Sequence, residues 1–276
     1  MGGHCATSVV TEEGSTAKSG SETQQPYFWG GHAKFHALLL GDSITEWGRV
    51  VIDSPTQSGW ASRLDNDFAR TVNISNFGAT GYNTRHALAT LDYVLPSTAQ
   101  KLLFATVWYG ANDAASNENQ YVPVEEYAAN LKTIITRIKG HMLDDFGSTI
   151  VVLGPPPVDS SKWKDRSNEQ METYSQVAKA AAEAEGVSFV DVYKGFLDTG
   201  KWSTMTIDGL HPNAAGQQWV YDAIKAKLPE KWKVWPRSIP QDFPFNDDLD
   251  PADPAKSLTW QAVSKLTYPV RAYTKA

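Results

Sequence analysis

The sequence predicts an α/β fold: a five-stranded, doubly wound parallel sheet in three α/β/α layers. Three observations carry this. Short apolar runs alternate with helix-patterned segments five times along the chain. The strongest runs, Leu38-Leu39-Leu40 and Leu102-Leu103-Phe104-Ala105-Thr106-Val107-Trp108-Tyr109, lack the polar alternation of a half-exposed strand. They read as strands covered on both faces. Finally, the chemically distinctive residues fall just after these runs, on the sheet edge where open α/β folds bind ligands.

The first strand is expected over 37–41, ended by Gly41. Ser58 reads as the N-cap of a helix over 59–70, because Trp60, Leu64 and Phe68 recur every four residues and give it one apolar face. A second strand is expected over 71–76, then the turn Gly78-Ala79-Thr80-Gly81 and a helix over 83–94 that stops before Pro96. The third strand, 102–109, leads into Gly110-Ala111-Asn112-Asp113. Tyr127, Leu131, Ile134, Ile138 and Met142 line one side of a long helix over 124–142. Ile150-Val151-Val152-Leu153 is the fourth strand, cut off by Gly154 and three prolines. Ser167 and Gln170 form a capping box for a helix over 168–185, and Gly186 suits its C′ position. The fifth strand covers 187–192, and Pro212 opens a last helix over 212–227.

The 276 residues suit one large domain with extensions. Residues 1–25, rich in Ser, Thr, Gly and Glu, read as a disordered tail before a domain spanning 26–228. Residues 229–276 hold seven of the 15 prolines together with Trp232, Trp235, Phe243 and Phe245. They read as an extension packed on the domain, with a short helix near 256–265. A net charge of −6 disfavours nucleic acid and anionic membrane surfaces as partners. No apolar run reaches the roughly 18 residues of a membrane span. Cys5 is the only cysteine, so no intramolecular disulfide forms, and a cytoplasmic location is expected. Gly2 and Cys5 sit where acyl chains are attached in lipidated proteins, but Ala6 stands where Ser or Thr belongs, so the tail reads as solvated. Composition leaves a homo-oligomer open.

Four short stretches follow strands or lie on the same side of the sheet: Gly41-Asp42-Ser43, Gly78, Gly110-Ala111-Asn112-Asp113 and Asp208-Gly209-Leu210-His211. Together they suit acyl transfer. A serine hydroxyl becomes nucleophilic when a histidine takes its proton. That histidine needs a carboxylate on its other nitrogen, and Asp208, three residues before His211, can turn back to it. The oxyanion formed on attack needs fixed donors. Ser43 and Gly78 offer backbone N–H groups, and Asn112 offers a side-chain amide. Gly78 and Gly81 are also read as possible turn residues, and Asn112 as a possible turn amide. Asp42 reads as a loop-fixing carboxylate and Asp113 as a brace for Asn112. No His/Cys cluster has metal-ligand spacing, so neither a metal nor a cofactor is expected.

In this order the four stretches resemble the sequence blocks of the SGNH, or GDSL-type, hydrolases. The likeness is nearest to the isoamyl acetate-hydrolysing esterase branch. It is carried by Gly81-Tyr82-Asn83-Thr84-Arg85, Tyr109-Gly110-Ala111-Asn112-Asp113, Tyr127-Ala128-Ala129-Asn130-Leu131, Gly154-Pro155-Pro156-Pro157 and Asp208-Gly209-Leu210-His211, over about 37–225. It extends less distinctly to Asp242-Phe243-Pro244-Phe245. Ile44 departs from the signature leucine without touching the chemistry. The resemblance implies Ser43 as nucleophile, His211 and Asp208 as its partners, and Ser43, Gly78 and Asn112 as the oxyanion hole. It also implies a small-molecule ester as substrate. Bulky rings near the motifs, Trp47, Trp163, Phe196 and Trp202, are expected to narrow the pocket to short acyl chains. The rival readings are a carbohydrate O-deacetylase or O-acyltransferase on the same site, and a binding module without catalysis.

Overall fold

The computed structural model describes residues 35–54, 56–69, 71–95, 102–143, 147–233 and 251–252. The predicted tail, the start of the domain at 26–34 and most of the C-terminal extension, including the expected helix near 256–265, lie outside the described residues.

Five parallel strands form the sheet: β1 (Phe35–Gly41), β2 (Val72–Gly78), β3 (Leu102–Trp108), β4 (Thr149–Leu153) and β5 (Ser188–Val190). Their spatial order is β2-β1-β3-β4-β5, so the chain reverses direction across the sheet between β1 and β3. That is the position where doubly wound sheets open a crevice at their carboxyl ends. All seven residues of β3 are buried, and Ala37 to Gly41 of β1 are buried as well, as strands sandwiched between helical layers require.

The helices are α1 (Ser43–Glu46), α2 (Trp60–Asp67), α3 (Thr84–Val94), α4 (Val124–Lys139), α5 (Asn168–Ala184), α6 (Val192–Asp198), α7 (Ala214–Lys227) and α8 (Glu230–Lys233). The predicted apolar line of α4 is buried at Tyr127, Leu131, Ile134 and Ile138, although the helix ends at Lys139, before Met142. The capping box of α5 forms as read, with Ser167 accepting from the Gln170 N–H and Gly186 following at φ 63°.

Several boundaries differ from the sequence reading. Ser58 does not cap α2; it pairs with Val50 in an isolated antiparallel bridge, and Gly59 occupies the N-cap. β2 runs two residues past the expected end and takes in Gly78, because β1 continues to pair with it as far as Gly41. β5 is only three residues long, since the Asp191 side chain accepts from the Lys194 N–H and turns the chain into α6, a helix the sequence reading had not separated from the strand. The last helix begins at Ala214 rather than Pro212, with Asn213 accepting from the Ala215 and Gly216 N–H groups. Among the described residues no helix is long and apolar enough to cross a membrane.

Candidate active site

The site begins where β1 ends. Asp42, in an extended conformation, accepts a hydrogen bond from the Ile44 N–H at 2.9 Å and so caps α1. This turn places Ser43 at the first helical position, just past the carboxyl end of β1. Trp60 locks the turn from the α2 side by donating its indole N–H to the Ile44 carbonyl at 3.3 Å.

The other half comes from the loop between α6 and α7. Asp208 Oδ1 accepts from the backbone N–H groups of Leu210 and His211 at 3.0 and 2.9 Å, which folds the four residues into a compact turn. The turn aims Asp208 Oδ2 at His211 Nδ1, 2.7 Å away. On the opposite side of the ring, His211 Nε2 lies 2.8 Å from Ser43 Oγ. An ionised carboxylate only accepts, so the proton of a neutral His211 belongs on Nδ1. Nε2 is then the acceptor for the serine hydroxyl. Burial pulls the Asp208 carboxyl upward, but the hydrogen bonds from His211 outweigh it and hold the group at about 2. The carboxylate is therefore charged at any working pH and favours the imidazolium that forms when Ser43 is deprotonated.

Asp42 behaves differently. Its side chain is buried beside Ser43, and desolvation pushes its pKa to about 7 against the Ile44 hydrogen bond and the field of His211. It holds the turn, as the sequence predicts, and touches neither Ser43 Oγ nor the His211 ring by a hydrogen bond.

The residues expected to supply oxyanion donors besides Ser43 lie at the end of β2 and after β3. Asn112 is buried, and its Nδ2 donates to the Tyr82 carbonyl at 2.8 Å and lies 3.5 Å from Asp42 Oδ2. Ser43's own N–H heads α1, where no intrahelical acceptor exists. Gly78 is placed otherwise than expected. Its N–H donates to Asn76 Oδ1 at 2.8 Å, so in this geometry it is not open to an oxyanion. Its lack of a side chain has a packing reason: a Cβ there would run into the backbone of Thr45 and Glu46. Gly81, read from sequence only as a turn residue, lies nearer Asn112. It has φ 80°, and its carbonyl accepts from Gln120, which also donates to Asn112 Oδ1 at 3.0 Å.

Asp113 does not brace Asn112. Its Oδ1 accepts from both the N–H and the hydroxyl of Thr84, at 3.0 and 2.5 Å, which fixes the start of α3. The bracing falls instead to Gln120 and to Arg166, whose Nη2 donates to Asn112 Oδ1 at 2.9 Å. Sequence reasoning missed Arg166 because it closes the charged stretch Lys162-Trp163-Lys164-Asp165-Arg166, which looks like a solvated loop. Only its place just before the capping Ser167 hinted that its direction was fixed.

Of the four expected pocket rings, two stand at the site. The Trp47 ring lies 4.2 Å from the His211 ring between centroids, and the Trp163 ring 5.6 Å in an edge-on arrangement. Trp163 also donates its indole N–H to the Asp208 carbonyl at 3.2 Å. Phe196 is a core residue: it is fully buried on α6 and meets Trp219 edge-on at 5.2 Å. Trp202 packs part-buried against the core after α6. A cavity of about 360 Å³ opens between β2 and α3, lined by Leu40, Phe77, Ala79, Tyr82 and Leu91 among others, and none of the four rings lines it.

A serine, a histidine and a carboxylate in line on the crevice edge of a doubly wound sheet define the class of α/β acyl-transfer enzymes. The model of the GDSL-like lipase/acylhydrolase family matches residues 39–219, and the chain belongs to that family. It is a carboxylic ester hydrolase. It is 32% identical over 245 residues to a GDSL esterase/lipase of Arabidopsis thaliana, a match covering 80% of this chain and 96% of that protein. It is 31% identical over 203 residues to the isoamyl acetate-hydrolyzing esterase of Saccharomyces cerevisiae, covering 68% of this chain and 83% of that one. The fold is shared with a lipase/acylhydrolase from Enterococcus faecalis (TM-score 0.58, 23% identity, 69% of this chain and 93% of that one). It is shared likewise with an acetylxylan esterase from Geobacillus stearothermophilus (TM-score 0.57, 21% identity, 73% and 97%).

Proposed function

We propose that this protein hydrolyses short-chain carboxylic esters of the acetate type by way of an acyl-enzyme on Ser43. The observation that carries the reading is the unbroken line from Ser43 Oγ to His211 Nε2, at 2.8 Å, and from His211 Nδ1 to Asp208 Oδ2, at 2.7 Å. His211 takes the hydroxyl proton as Ser43 attacks the ester carbonyl. The carbonyl oxygen gains charge and is met by the Ser43 N–H, the Asn112 amide and a backbone N–H of the turn after β2. Because Asn76 Oδ1 accepts from the Gly78 N–H, Gly81 is the alternative glycine for that last role. The imidazolium then returns its proton to the leaving alcohol. A water, deprotonated by the same ring, attacks the acyl-enzyme and releases the acid.

Two things support a small acyl group. Trp47 and Trp163 both pack against the His211 ring and crowd the neighbourhood of the proposed base. A relative of 31% identity is named for hydrolysis of isoamyl acetate. Each methylene accepted or refused by such a pocket changes transition-state binding by about 1–3 kcal/mol, so the profile should be steep. The test is kcat/KM on p-nitrophenyl esters from two to sixteen carbons, with Ser43→Ala as control. A maximum at two to four carbons is expected; one at ten or longer would overturn the small-pocket reading and leave the triad in place.

A further inference from the structure

Arg166 is buried at 5% exposure, yet it takes no part in the proton path. Its guanidinium is held on several sides. Nε donates to the Ala111 carbonyl at 2.9 Å, Nη1 to Asp165 Oδ1 at 2.7 Å, and Nη2 to both Asn112 Oδ1 and Gln120 Oε1 at 2.9 Å. The Trp163 ring covers it at 5.0 Å. A loop fastener would need only the first two bonds. The third places a full positive charge against the oxygen of the Asn112 amide, whose Nδ2 lies beside Asp42 and the Tyr82 carbonyl.

We propose that Arg166 is a positioning residue for the oxyanion donor: together with Gln120 it fixes the direction of the Asn112 amide and polarises it toward the reacting carbonyl. The inference rests on the serine-esterase reading. Asn112 Oδ1 receives two donors, Arg166 Nη2 and Gln120 Nε2, while Nδ2 meets the Tyr82 carbonyl. Turning the amide over would set NH₂ against two donors and oxygen against a carbonyl. Only one orientation is compatible with these neighbours, and it sets Nδ2 toward the Tyr82 carbonyl and toward Asp42, the residue before Ser43. Electron density drawn to Oδ1 by a charged donor leaves the Nδ2 hydrogens more positive, because hydrogen bonds in a chain strengthen one another in a dry site. The gain grows as the oxyanion develops, so it falls on kcat rather than on ground-state binding.

The test is a double-mutant cycle on the full chain between Arg166→Lys and Asn112→Ala. Lysine keeps the charge but loses the planar fork that reaches Ala111, Asp165 and Asn112 together. Removing an oxyanion donor outright costs about 10²–10³ in kcat, so weakening it should cost about 10-fold, with KM held within about threefold. In the Asn112→Ala background the same change should cost less than about twofold, since the group it acts through is gone. Thermal unfolding is followed in parallel. If Arg166→Lys does not fold, Gln120→Leu, which removes the neutral donor to the same oxygen, replaces it in the cycle with an expected loss of about threefold. An unchanged kcat in a folded variant, or equal losses in both backgrounds, overturns the proposal. Labelling of wild-type Ser43 by a fluorophosphonate separates the two levels. With labelling present, an additive cycle refutes Arg166's role alone. With labelling absent, the esterase reading falls and takes the proposal with it.

Discussion

The acid–base arm of the site and its oxyanion arm are built in opposite ways. Ser43 and the Asp208–His211 pair each sit in a turn that organises itself: Asp42 caps one, and Asp208 Oδ1 gathers the N–H groups of the other. Each turn needs only three or four consecutive residues to take its shape. Asn112 has no such local frame. Its amide is directed by Tyr82 from the β2–α3 loop, Gln120 from its own long loop and Arg166 from the β4–α5 loop. Ser43 and the Asp208–His211 pair are thus held by local turns brought into register by the sheet, whereas the Asn112 amide is directed by its own loop and two others. Mutations in the first arm should act directly on the chemistry, and those around the second should act through a network.

The largest effect is expected at the heart of the first arm. Ser43→Ala should remove esterase turnover by several orders of magnitude, up to the roughly 10⁶ seen when a triad serine is lost elsewhere. Circular dichroism should stay unchanged, because the cap on α1 is made by Asp42. Turnover within tenfold of wild type would break the assignment.

Asn112→Ala tests the second arm. It should lower kcat by about 10²–10³ with a smaller change in KM, because the charge it meets exists mainly in the transition state. A raised KM with kcat intact would make Asn112 a substrate-binding residue instead.

Trp163→Phe probes a side chain that reaches both arms, since it bonds the Asp208 carbonyl and covers Arg166. Losing a single neutral hydrogen bond of about 1 kcal/mol should lower kcat/KM by roughly fivefold. No measurable change would mean that the turn carrying Asp208 needs no support from the β4–α5 loop.

The last effect is on stability rather than turnover and depends on pH. Burial raises Asp42 to about 7, far above the value of about 3.9 of an unfolded aspartate. Between these values the native state holds a proton that the unfolded state has lost. Stability from this group is full below about 4 and falls as pH rises toward about 7, with a slope of at most ~1.4 kcal/mol per pH unit. Asp42→Asn keeps an acceptor for the Ile44 N–H but cannot ionise. Relative to wild type it should therefore gain stability between pH 4 and pH 7. Asp208 runs the other way: held at about 2, it supports the fold above about 3.9 and loses that support in strong acid. Urea midpoints for Asp42→Asn that track wild type at both pH 5 and pH 8 would show that Asp42 is not carried into the fold as a neutral group.

The same contrast explains what could be read from the sequence. The five strands, the parallel order and the self-organised turns were legible because each is written in a few adjacent residues: Leu38-Leu39-Leu40, Ser167 with Gln170, Asp208 with His211. The errors share another origin. Nothing in the sequence around Gly78 shows that its N–H is engaged by Asn76 or that its bareness answers to α1 packing on β2. Asp113 lies next to Asn112 in sequence but turns toward Thr84. Phe196 was placed in the pocket from its position before Asp208, without the α6 helix that buries it against Trp219. Arg166 was invisible because nothing local distinguishes a buried guanidinium from its exposed neighbours in a charged loop.

The bond between Ser43 and His211 closes a span of 168 residues. During synthesis at about 5–20 residues per second, Ser43 leaves the ribosome roughly 10–30 s before His211. On the proposed mechanism the serine has no base, and so no reactivity, until the last α/β unit docks. The docking is anchored by Gln217 on α7, whose side-chain carbonyl accepts from the Trp60 N–H at 3.0 Å. Fraying of α7 would separate base from nucleophile while leaving the central strands paired. Such an enzyme should lose its reactivity toward fluorophosphonates in mild denaturant before the sheet melts.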